Sequence, residues 1–413
     1  MLDIKLIREN PEKVKEGLKK RQKNPQLVDD FLALDEQWRQ LTKNLDNARF
    51  QQNQLSKERK IEEAKVLKEK VKSYEVSLRG IEEERHKLLE QFPNIPADDA
   101  PVGKDEDENV VLREVGEKPK FNFPPKDYLS IAEKLDIVDV KRVWKVSGSR
   151  FGYLKGRAAL LELALVNFAM EKLVRKGFTP VIPPVMIKPG PYACMGRLAG
   201  DQKEERYYLE KDNLYLAGSS EHTLGPMHMD EVLDEKDLPK RYVAFSTCFR
   251  REAGSYGKDT KGILRVHQFD KVEMFSFTKP EDSEKEHQFL LSCQEELMQA
   301  LKLHYRVMQI CTGDLGWTDY KQYDIETWLP GQLANSTSSE RGRYRETHSC
   351  SNTTDFQARG VNVKYSSEGK FVHMLNATGI AVGRVIIAII ENYQKEGETF
   401  EIPEVLKKYL IGY

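Results

Sequence analysis

Two arginines flank a glycine- and charge-rich loop in the middle of the chain and could converge on one polyanion. Arg250 precedes this loop of about ten residues, and Arg265 follows it. A guanidinium group matches phosphate oxygens two at a time. Further along, Phe269 could stack against a flat ring, and Glu273 could hold an ammonium group. The spacing thus suits a polyanion site, although a solvated hairpin would use the same residue types.

The stretch that contains these residues resembles a family motif. Cys248–Phe277 reads CFRREAGSYGKDTKGILRVHQFDKVEMFSF. It is similar to motif 2 of class II aminoacyl-tRNA synthetases, in the form FRxEAG…G(K/R)DTxGxxRVHQFxKVE that marks the seryl-tRNA synthetases of the bacterial type. The resemblance covers nearly the whole chain, with motif 1 at about 158–186, motif 2 at about 245–277 and motif 3 at about 373–393. It implies an α+β fold with an antiparallel β-sheet core, flanking helices and an N-terminal antiparallel two-helix coiled-coil arm.

The resemblance also implies which residues contact ATP. They are Arg250, Arg251, Glu252, Arg265, Val266, Phe269, Glu346, Thr347, His348, Ser349 and Arg384. Arg250 would clamp the α-phosphate, and Arg384 the γ-phosphate, which makes these two the catalytic residues. Glu346 and Ser349 would hold Mg²⁺, which favours oxygen ligands and keeps waters and phosphate oxygens. A thiol nucleophile from Cys350 and His348 is an alternative that no other feature supports.

A loop of small hydroxyl groups beside a carboxylate, Ser219-Ser220-Glu221, follows a predicted strand. From the residues alone, it could bind an amino acid or form an ordinary serine turn. The resemblance implies the serine-binding Thr-x-Glu loop of the family, with Ser219 where threonine is usual. The implied serine contacts are Ser219, Ser220, Glu221, Arg250, Glu273 and Thr378.

Apolar residues near the N-terminus follow an a/d heptad pattern on two consecutive segments. They are Leu27, Phe31, Leu34, Trp38, Leu41, Leu45 and Ala48, then Ala64, Leu67, Val71, Tyr74, Leu78, Ile81, Arg85 and Leu88. We expect two antiparallel helices of roughly 45 Å, which could also be a dimerising coiled coil or a spacer. The resemblance implies an arm that grips tRNA(Ser). Its candidate phosphate contacts are Lys43, Arg49, Lys57, Arg59, Lys60, Lys65, Lys68 and Lys72.

The chain is predicted to contain a tRNA-binding domain at 1–95, a linker at 96–120 and a catalytic domain at 121–413. The linker is rich in proline, glycine and acidic residues. A long helix is expected over Ala158–Lys176, followed by an extended segment over Phe178–Met186. The polar stretch Leu333–Gly342 is interpreted as an insertion in a surface loop.

Composition argues against a membrane-spanning, a disulfide-rich or a strongly basic protein. The 413 residues include 65 Lys and Arg and 66 Asp and Glu, so a nucleic acid must bind a local basic face. No run approaches the ~18 apolar residues of a membrane span, and no leader sequence is evident. The five scattered cysteines indicate neither a disulfide framework nor a zinc site, which favours the cytoplasm. A homodimer is implied by the class resemblance.

The resemblance therefore implies a serine–tRNA ligase that uses ATP to form seryl-adenylate and pyrophosphate, then transfers serine to tRNA(Ser) with release of AMP. Whether tRNA(Sec) is also charged stays open. A carrier-protein ligase is disfavoured because such paralogues usually lack the arm and use a zinc-dependent pocket. A non-catalytic RNA-binding protein is disfavoured because Arg250 and Arg384 are both present. Serine-dependent pyrophosphate exchange and tRNA charging distinguish the three.

Overall fold

The computed structural model describes residues 1–253, 261–333, 341–366 and 368–412. The chain forms two compact units, Met1–Ile95 and Pro96–Tyr413. Among the described residues, no helix combines the length and apolar character that crossing a membrane requires.

The first unit is helical. Its helices are α1 (Ile4–Glu9), α2 (Pro11–Lys20), α3 (Gln26–Lys57) and α4 (Ile61–Leu89). The long helices contain 32 and 29 residues, which corresponds to about 48 and 44 Å at 1.5 Å per residue. The short turn between them sends α4 back along α3, so the expected antiparallel arm of roughly 45 Å is confirmed.

An apolar seam holds α3 against α4. Leu45 and Ala48 are buried with Val71, and Tyr74 and Leu78 pack against this group. All of the predicted heptad residues are buried or half-buried, whereas most positions between them are exposed. The heptad pattern therefore identifies the side of each helix that packs against the other.

A buried carboxylate joins three of these helices. The side chain of Asp35 on α3 is 0% exposed. It accepts hydrogen bonds from Nε of Arg8 at 2.7 Å and from Nε of Arg85 at 2.8 Å. Burial opposes ionisation, but Arg8 and Arg85 outweigh it and lower the pKa of Asp35 below its ordinary value. Asp35 thus ties α1 and α4 to the base of the arm as an anion.

The second unit combines helices with a large sheet. Its α-helices are α5 (Tyr128–Lys134), α6 (Val140–Ser147), α7 (Arg157–Arg175), α8 (Pro189–Cys194), α9 (Glu221–Leu224), α10 (Ser283–Ala300), α11 (Phe356–Val361), α12 (Val382–Asn392) and α13 (Glu404–Lys407). Short 3₁₀ turns occur at Glu106–Glu108, Gly200–Lys203, Gly225–His228, Glu235–Asp237 and Pro280–Asp282. The predicted helix over Ala158–Lys176 corresponds to α7 within one residue at each end.

The strands are β1 (Val110–Val115), β2 (Val138–Asp139), β3 (Tyr153–Leu154), β4 (Thr179–Val181), β5 (Met186–Ile187), β6 (Tyr208–Leu209), β7 (Leu214–Leu216), β8 (Val232–Leu233), β9 (Lys240–Phe249), β10 (Gln268–Thr278), β11 (Tyr305–Gln309), β12 (Lys321–Leu333), β13 (Arg341–Asn352), β14 (Lys364–Tyr365), β15 (Lys370–Phe371), β16 (His373–Ala381), β17 (Gln394–Lys395) and β18 (Thr399–Phe400). Within the described ranges, eight strands form the main sheet in the order β1-β11-β12-β13-β16-β10-β9-β4. Neighbouring strands are antiparallel except for β4 and β9. The expected antiparallel core is confirmed.

The two faces of this sheet bury different cores. Successive residues of a strand point to opposite faces. On β16, Leu375 and Ala377 join the larger core, which contains buried residues of α7, α10 and α12. Met374 joins a smaller core with residues near α8, α9 and α11. Asn376 and Thr378 share the alternation of Met374, so they lie on the face opposite the three long helices.

The stretch 96–120, which the sequence predicts as a linker, belongs to the second unit. Its segment VVLREV forms β1 and pairs antiparallel with β11 at one edge of the main sheet. The amide of Thr312 also donates to the carbonyl of Pro101 at 2.8 Å. Two other sequence features, the loop centre 254–260 and residues 334–340 of the insertion, lie outside the described residues.

Candidate active site

Two adjoining cavities open on the face of the main sheet that carries Asn376 and Thr378. The first cavity has a volume of about 180 Å³, and the second about 380 Å³. Predicted site residues that line the first cavity are Arg250, Glu252, Arg265, Val266, Phe269, Glu346, Thr347, Ser349, Thr378 and Arg384. Those that line the second are Glu221, Arg250, Glu252, Arg265, Glu273 and Ser349. Because Arg250 lines both, one guanidinium group can contact ligands on both sides.

Arg250 is held where β9 leaves the sheet. Its amide donates to the carbonyl of His267 at 3.0 Å, which closes the base of the β9–β10 loop. Its Nε donates to the carbonyl of Gly218 at 3.1 Å. The guanidinium carbon lies 5.3 Å from the centroid of the Phe269 ring. These contacts fix the side chain, and no described residue takes a hydrogen bond from its Nη atoms.

Two further arginines line the first cavity, each beside a carboxylate. Nη1 of Arg265 lies 2.9 Å from Oε2 of Glu252. Nη1 of Arg384, in the first turn of α12, donates to the carbonyl of Glu346 at 2.8 Å and lies 3.2 Å from its Oε1. Burial opposes ionisation of Glu346, but Arg384 outweighs it and lowers the pKa of this carboxyl. Glu346 is therefore an anion that faces the cavity.

The second cavity contains buried ion pairs. Nη2 of Arg197 lies 2.5 Å from Oε1 of Glu221, and Nε2 of His222 lies 3.2 Å from the same oxygen. Burial opposes the charge of Glu221, yet Arg197 and His222 lower its pKa. Burial also lowers the pKa of His222 to about 3, so this imidazole is neutral at physiological pH. Glu221 is thus a fixed negative charge in the wall of the second cavity.

Glu273 has a different environment from Glu221. Nζ of Lys271 lies 2.6 Å from its Oε2, and both side chains are buried. Burial raises the pKa of Glu273, and Lys271 only partly offsets that effect. The predicted ammonium-binding carboxylate therefore already has a cationic neighbour.

Four of the predicted residues do not line either cavity. They are Ser219, Ser220, Arg251 and His348. Ser219 and Ser220 are buried, and Oγ of Ser219 accepts from the amide of Glu221 at 3.4 Å. Arg251 is exposed, and its guanidinium carbon lies 5.7 Å from the centroid of Tyr207. His348 is buried and lies 2.9 Å from Oγ1 of Thr347. Ser219 thus positions the loop backbone, and its direct contact with a ligand stays a prediction.

Several residues of the second cavity were not found by sequence reasoning. They are Arg197, Gln202, Glu205, Arg206, His222, Lys271, Asp319, Gln322, Ser351 and Asn376. Four of them, Arg197, Glu205, Arg206 and Asp319, belong to irregular segments without periodicity, where the sequence gives no pattern that indicates a site. Asn376 and Lys271 were detectable by strand alternation, since they occupy strands next to predicted site residues.

Oxygen ligands for a metal ion are present in the first cavity. Within the described ranges, no group of three or more His, Cys, Asp or Glu side chains is arranged around a metal site. Glu346, whose pKa is lowered, and Ser349 both line the first cavity and offer a carboxylate and a hydroxyl. This donor set fits Mg²⁺, a hard cation that takes its remaining ligands from phosphate and water.

Comparison with known proteins identifies relatives over the full length. Residues 1–96 match the seryl-tRNA synthetase N-terminal domain, and residues 206–393 match the tRNA synthetase class II core domain (G, H, P, S and T). The serine–tRNA ligase of Dictyoglomus turgidum is 43% identical, covering 99% of this chain and 98% of the relative. The serine–tRNA ligase of Coprothermobacter proteolyticus is also 43% identical, with 100% of each chain covered.

Solved structures give the same result. Seryl-tRNA synthetase from Pyrococcus horikoshii, complexed with ATP, has a TM-score of 0.92 and 41% identity, covering 99% of this chain and 98% of that one. The cytoplasmic serine–tRNA ligase of Naegleria fowleri, in complex with AMP, has a TM-score of 0.90 and 35% identity, covering 99% and 97%. Together with the two cavities and the helical arm, these matches place the chain in the seryl-tRNA synthetase family of class II aminoacyl-tRNA synthetases.

Proposed function

We propose that this chain is a serine–tRNA ligase, which activates L-serine with ATP and transfers the seryl group to the 3′ end of tRNA(Ser). It acts in the cytoplasm as a homodimer. A carboxylate oxygen of serine attacks the α-phosphorus of ATP, and the bond to pyrophosphate breaks. A hydroxyl of the terminal ribose of tRNA then attacks the seryl carbonyl carbon, and AMP leaves. The substrates supply both nucleophiles, so the protein must align anions and neutralise charge.

The observation that carries this proposal is that Arg250 and Arg384, 134 positions apart in the chain, line one cavity together with Phe269 of β10. Arg250 clamps the α-phosphate and the serine carboxylate, because it also lines the second cavity. Arg384 binds the γ-phosphate from the first turn of α12, where the helix dipole adds positive potential.

The remaining residues of the first cavity hold the nucleotide. Phe269 stacks against adenine, and Glu252 accepts from the adenine amino group. Arg265 makes a second contact with the triphosphate, and its ion pair with Glu252 at 2.9 Å supports a joint placement of the two groups. Val266 and Thr347 complete the wall, while Arg251 and His348 act from outside it. Mg²⁺, when held by Glu346 and Ser349, neutralises charge on the phosphates.

Serine binds in the second cavity. Glu273 accepts the α-ammonium group, and the fixed charge of Glu221 adds attraction from the Ser219–Glu221 loop. Thr378 contacts the serine hydroxyl from the first cavity, which shares Arg250 and Ser349 with the second. Its Oγ1 is buried and has no hydrogen-bond partner among the described residues, which supports a role in binding a polar ligand. A site built for a hydroxyl rejects alanine, since its polar groups are then left unpaired.

The helical arm binds tRNA(Ser) through phosphate contacts. All eight candidate cations are exposed. Arg49, Lys60 and Lys65 form ion pairs with glutamates at 2.8 Å. The other five make no ion pair with a described residue; they are Lys43, Lys57, Arg59, Lys68 and Lys72. A phosphate backbone can therefore form ion pairs with these five cations without disrupting an existing ion pair.

Serine-dependent exchange of pyrophosphate into ATP tests the activation step. We expect exchange with L-serine, and Arg250→Ala should abolish it while tRNA binding persists. Arg343→Ala is the matched control, because Arg343 is an exposed arginine of β13 that lines neither cavity. Exchange with another amino acid and none with serine would remove the substrate assignment. Charging of tRNA(Ser) with and without its variable arm then tests the partner.

A further inference from the structure

The second cavity contains a guanidinium group that the proposed function leaves unused. Arg206 precedes β6 and lines this cavity. No described residue forms a hydrogen bond or an ion pair with its guanidinium group, and its buried Nε has no partner among them. The centroid of the Tyr192 ring lies 5.8 Å from the guanidinium carbon. Arg206 is therefore held by packing, with its donors available.

Other cations surround Arg206. A Cβ added at Gly218 would lie 3.0 Å from Nη1 of Arg206, and the carbonyl of Gly218 accepts from Arg250. The two guanidinium groups thus approach the same residue. Burial lowers the pKa of Arg206, and the charges of Arg250 and Arg197 lower it further. Arg197 has its own carboxylate, Glu221, at 2.5 Å.

Arg206 is half-buried, and a charge that is partly removed from water without a partner costs free energy, so proteins usually pair it. The partner can be a ligand, and charged groups with perturbed pKa values are common at functional sites. Arg206 lines the second cavity but not the first, which contains Phe269 and Arg384. The missing partner therefore belongs on the amino-acid side of Arg250 and not on the nucleotide side.

We infer that Arg206 is a substrate-binding residue, which binds an acceptor oxygen of the amino-acid substrate through charge-assisted hydrogen bonds. The inference rests on the proposed function, because it takes the second cavity as the amino-acid site. The oxygen belongs either to the α-carboxylate, which serine itself carries, or to an acceptor group at the end of a longer side chain. A volume of about 380 Å³ is in the range that holds ligands well above the size of serine.

Amino-acid-dependent pyrophosphate exchange without tRNA tests this inference. The full-length chain, Arg206→Leu, Arg206→Lys and Lys203→Gln are assayed with L-serine, L-asparagine, L-aspartate and O-phospho-L-serine. Lys203 is the matched control, since it is an exposed cation of the same segment that lines neither cavity. Melting temperature and the KM for ATP are measured for each variant. If Arg206→Leu does not fold, Arg206→Lys retains the cation and changes only its geometry.

We expect Arg206→Leu to raise the KM for the amino acid about 10- to 100-fold, as expected for loss of a charge-assisted contact. The KM for ATP should stay within about twofold, and Arg206→Lys should fall between. A rise for L-serine assigns the contact to the α-carboxylate. A loss confined to substrates with an acceptor side chain assigns it to that side chain. Unchanged KM values for every amino acid, or an effect on ATP alone, overturn the inference.

The two proposals fail in different ways. If L-serine supports no exchange but an acceptor-bearing amino acid does so in an Arg206-dependent manner, the serine assignment falls and the role of Arg206 stands. If L-serine supports exchange that Arg206→Leu leaves unchanged, and no other amino acid is activated, the serine assignment stands and the role of Arg206 falls. Exchange with none of the four amino acids removes both.

Discussion

Replacing Thr378 with valine should stabilise the fold and weaken serine binding at the same time. Thr378 on β16 is 4% exposed, and its Oγ1 has no hydrogen-bond partner among the described residues. Burying a hydroxyl without a partner costs roughly 1–3 kcal/mol, and valine removes the oxygen while keeping the shape. We expect Thr378→Val to raise the free energy of unfolding by about 1 kcal/mol, the lower end of that range, because the residue lines a cavity.

The same substitution removes the proposed contact with the hydroxyl of serine. A hydrogen bond between neutral groups contributes about 0.5–1.5 kcal/mol, so the KM for L-serine should rise roughly 3- to 10-fold. The KM for ATP should not change. Alanine should compete better than it does against the wild type, because the site no longer holds a hydroxyl that alanine leaves unpaired.

Thermal unfolding and pyrophosphate exchange measure the two effects on the same samples. An increase of about 1 kcal/mol corresponds to about 2 °C or less for a unit of this size. Thr353→Val is the matched control, because Thr353 is equally buried but its Oγ1 donates to the carbonyl of Met374 at 2.8 Å. The control should lower the melting temperature and leave the serine KM unchanged. A lower melting temperature for Thr378→Val together with an unchanged serine KM would refute the reasoning.

Three further predictions concern the phosphates, the arm and its base. Arg384→Ala should lower serine-dependent exchange by about 100-fold or more, since a preorganised charge contributes roughly 3 kcal/mol to a charged transition state; a loss below tenfold contradicts the γ-phosphate role. The triple variant of Lys43, Lys68 and Lys72 to glutamine should leave exchange intact and reduce the slope of log affinity for tRNA against log salt by about 2 to 3; an unchanged slope places the contacts elsewhere. Asp35 has a lowered pKa, so the stability it provides is present above the unfolded pKa and is lost as the pH falls through the folded pKa. Asp35→Asn should therefore weaken hydrogen-exchange protection of α3 and α4 by about 2 kcal/mol at pH 7, because Arg8 and Arg85 are partly exposed to solvent, and should remove the acid sensitivity; wild-type protection at pH 7 would exclude this role.

The long elements of the fold could be predicted because local sequence determines them. The 4-3 spacing of apolar residues identifies the packed sides of α3 and α4, and helical periodicity gives α7 within one residue. β1 was harder, since Val110–Val115 is mostly exposed and follows an acidic stretch. It is a strand because it pairs with the open edge of β11. No sequence pattern within residues 96–120 indicates that this edge is available.

The candidate site was only partly predictable. Motif resemblance assigned Arg250, Phe269 and Arg384 to one ligand, and these residues line one cavity. The ion pairs of the second cavity, in contrast, depend on tertiary structure. The ion pair of Arg197 with Glu221 joins an irregular segment to the start of α9, and Lys271 reaches Glu273 along the same strand face. Such contacts follow from the packing of segments that carry no repeat, so a sequence without aligned relatives gives little warning of them.

Both cavities rest on strands of the main sheet, but only the second is also lined by the chain between α8 and β6. The groups proposed to contact the phosphates stand on or near β9, β10, β13 and α12, all of which contribute residues to the larger core. Arg197, Gln202 and Arg206 lie between α8 and β6, in a connection whose one regular element is the 3₁₀ turn Gly200–Lys203. Loop segments tolerate exchange better than core strands do. Swapping the segment 195–207 for sequences of other composition therefore offers a route to ligases with new amino-acid preferences that still form adenylates.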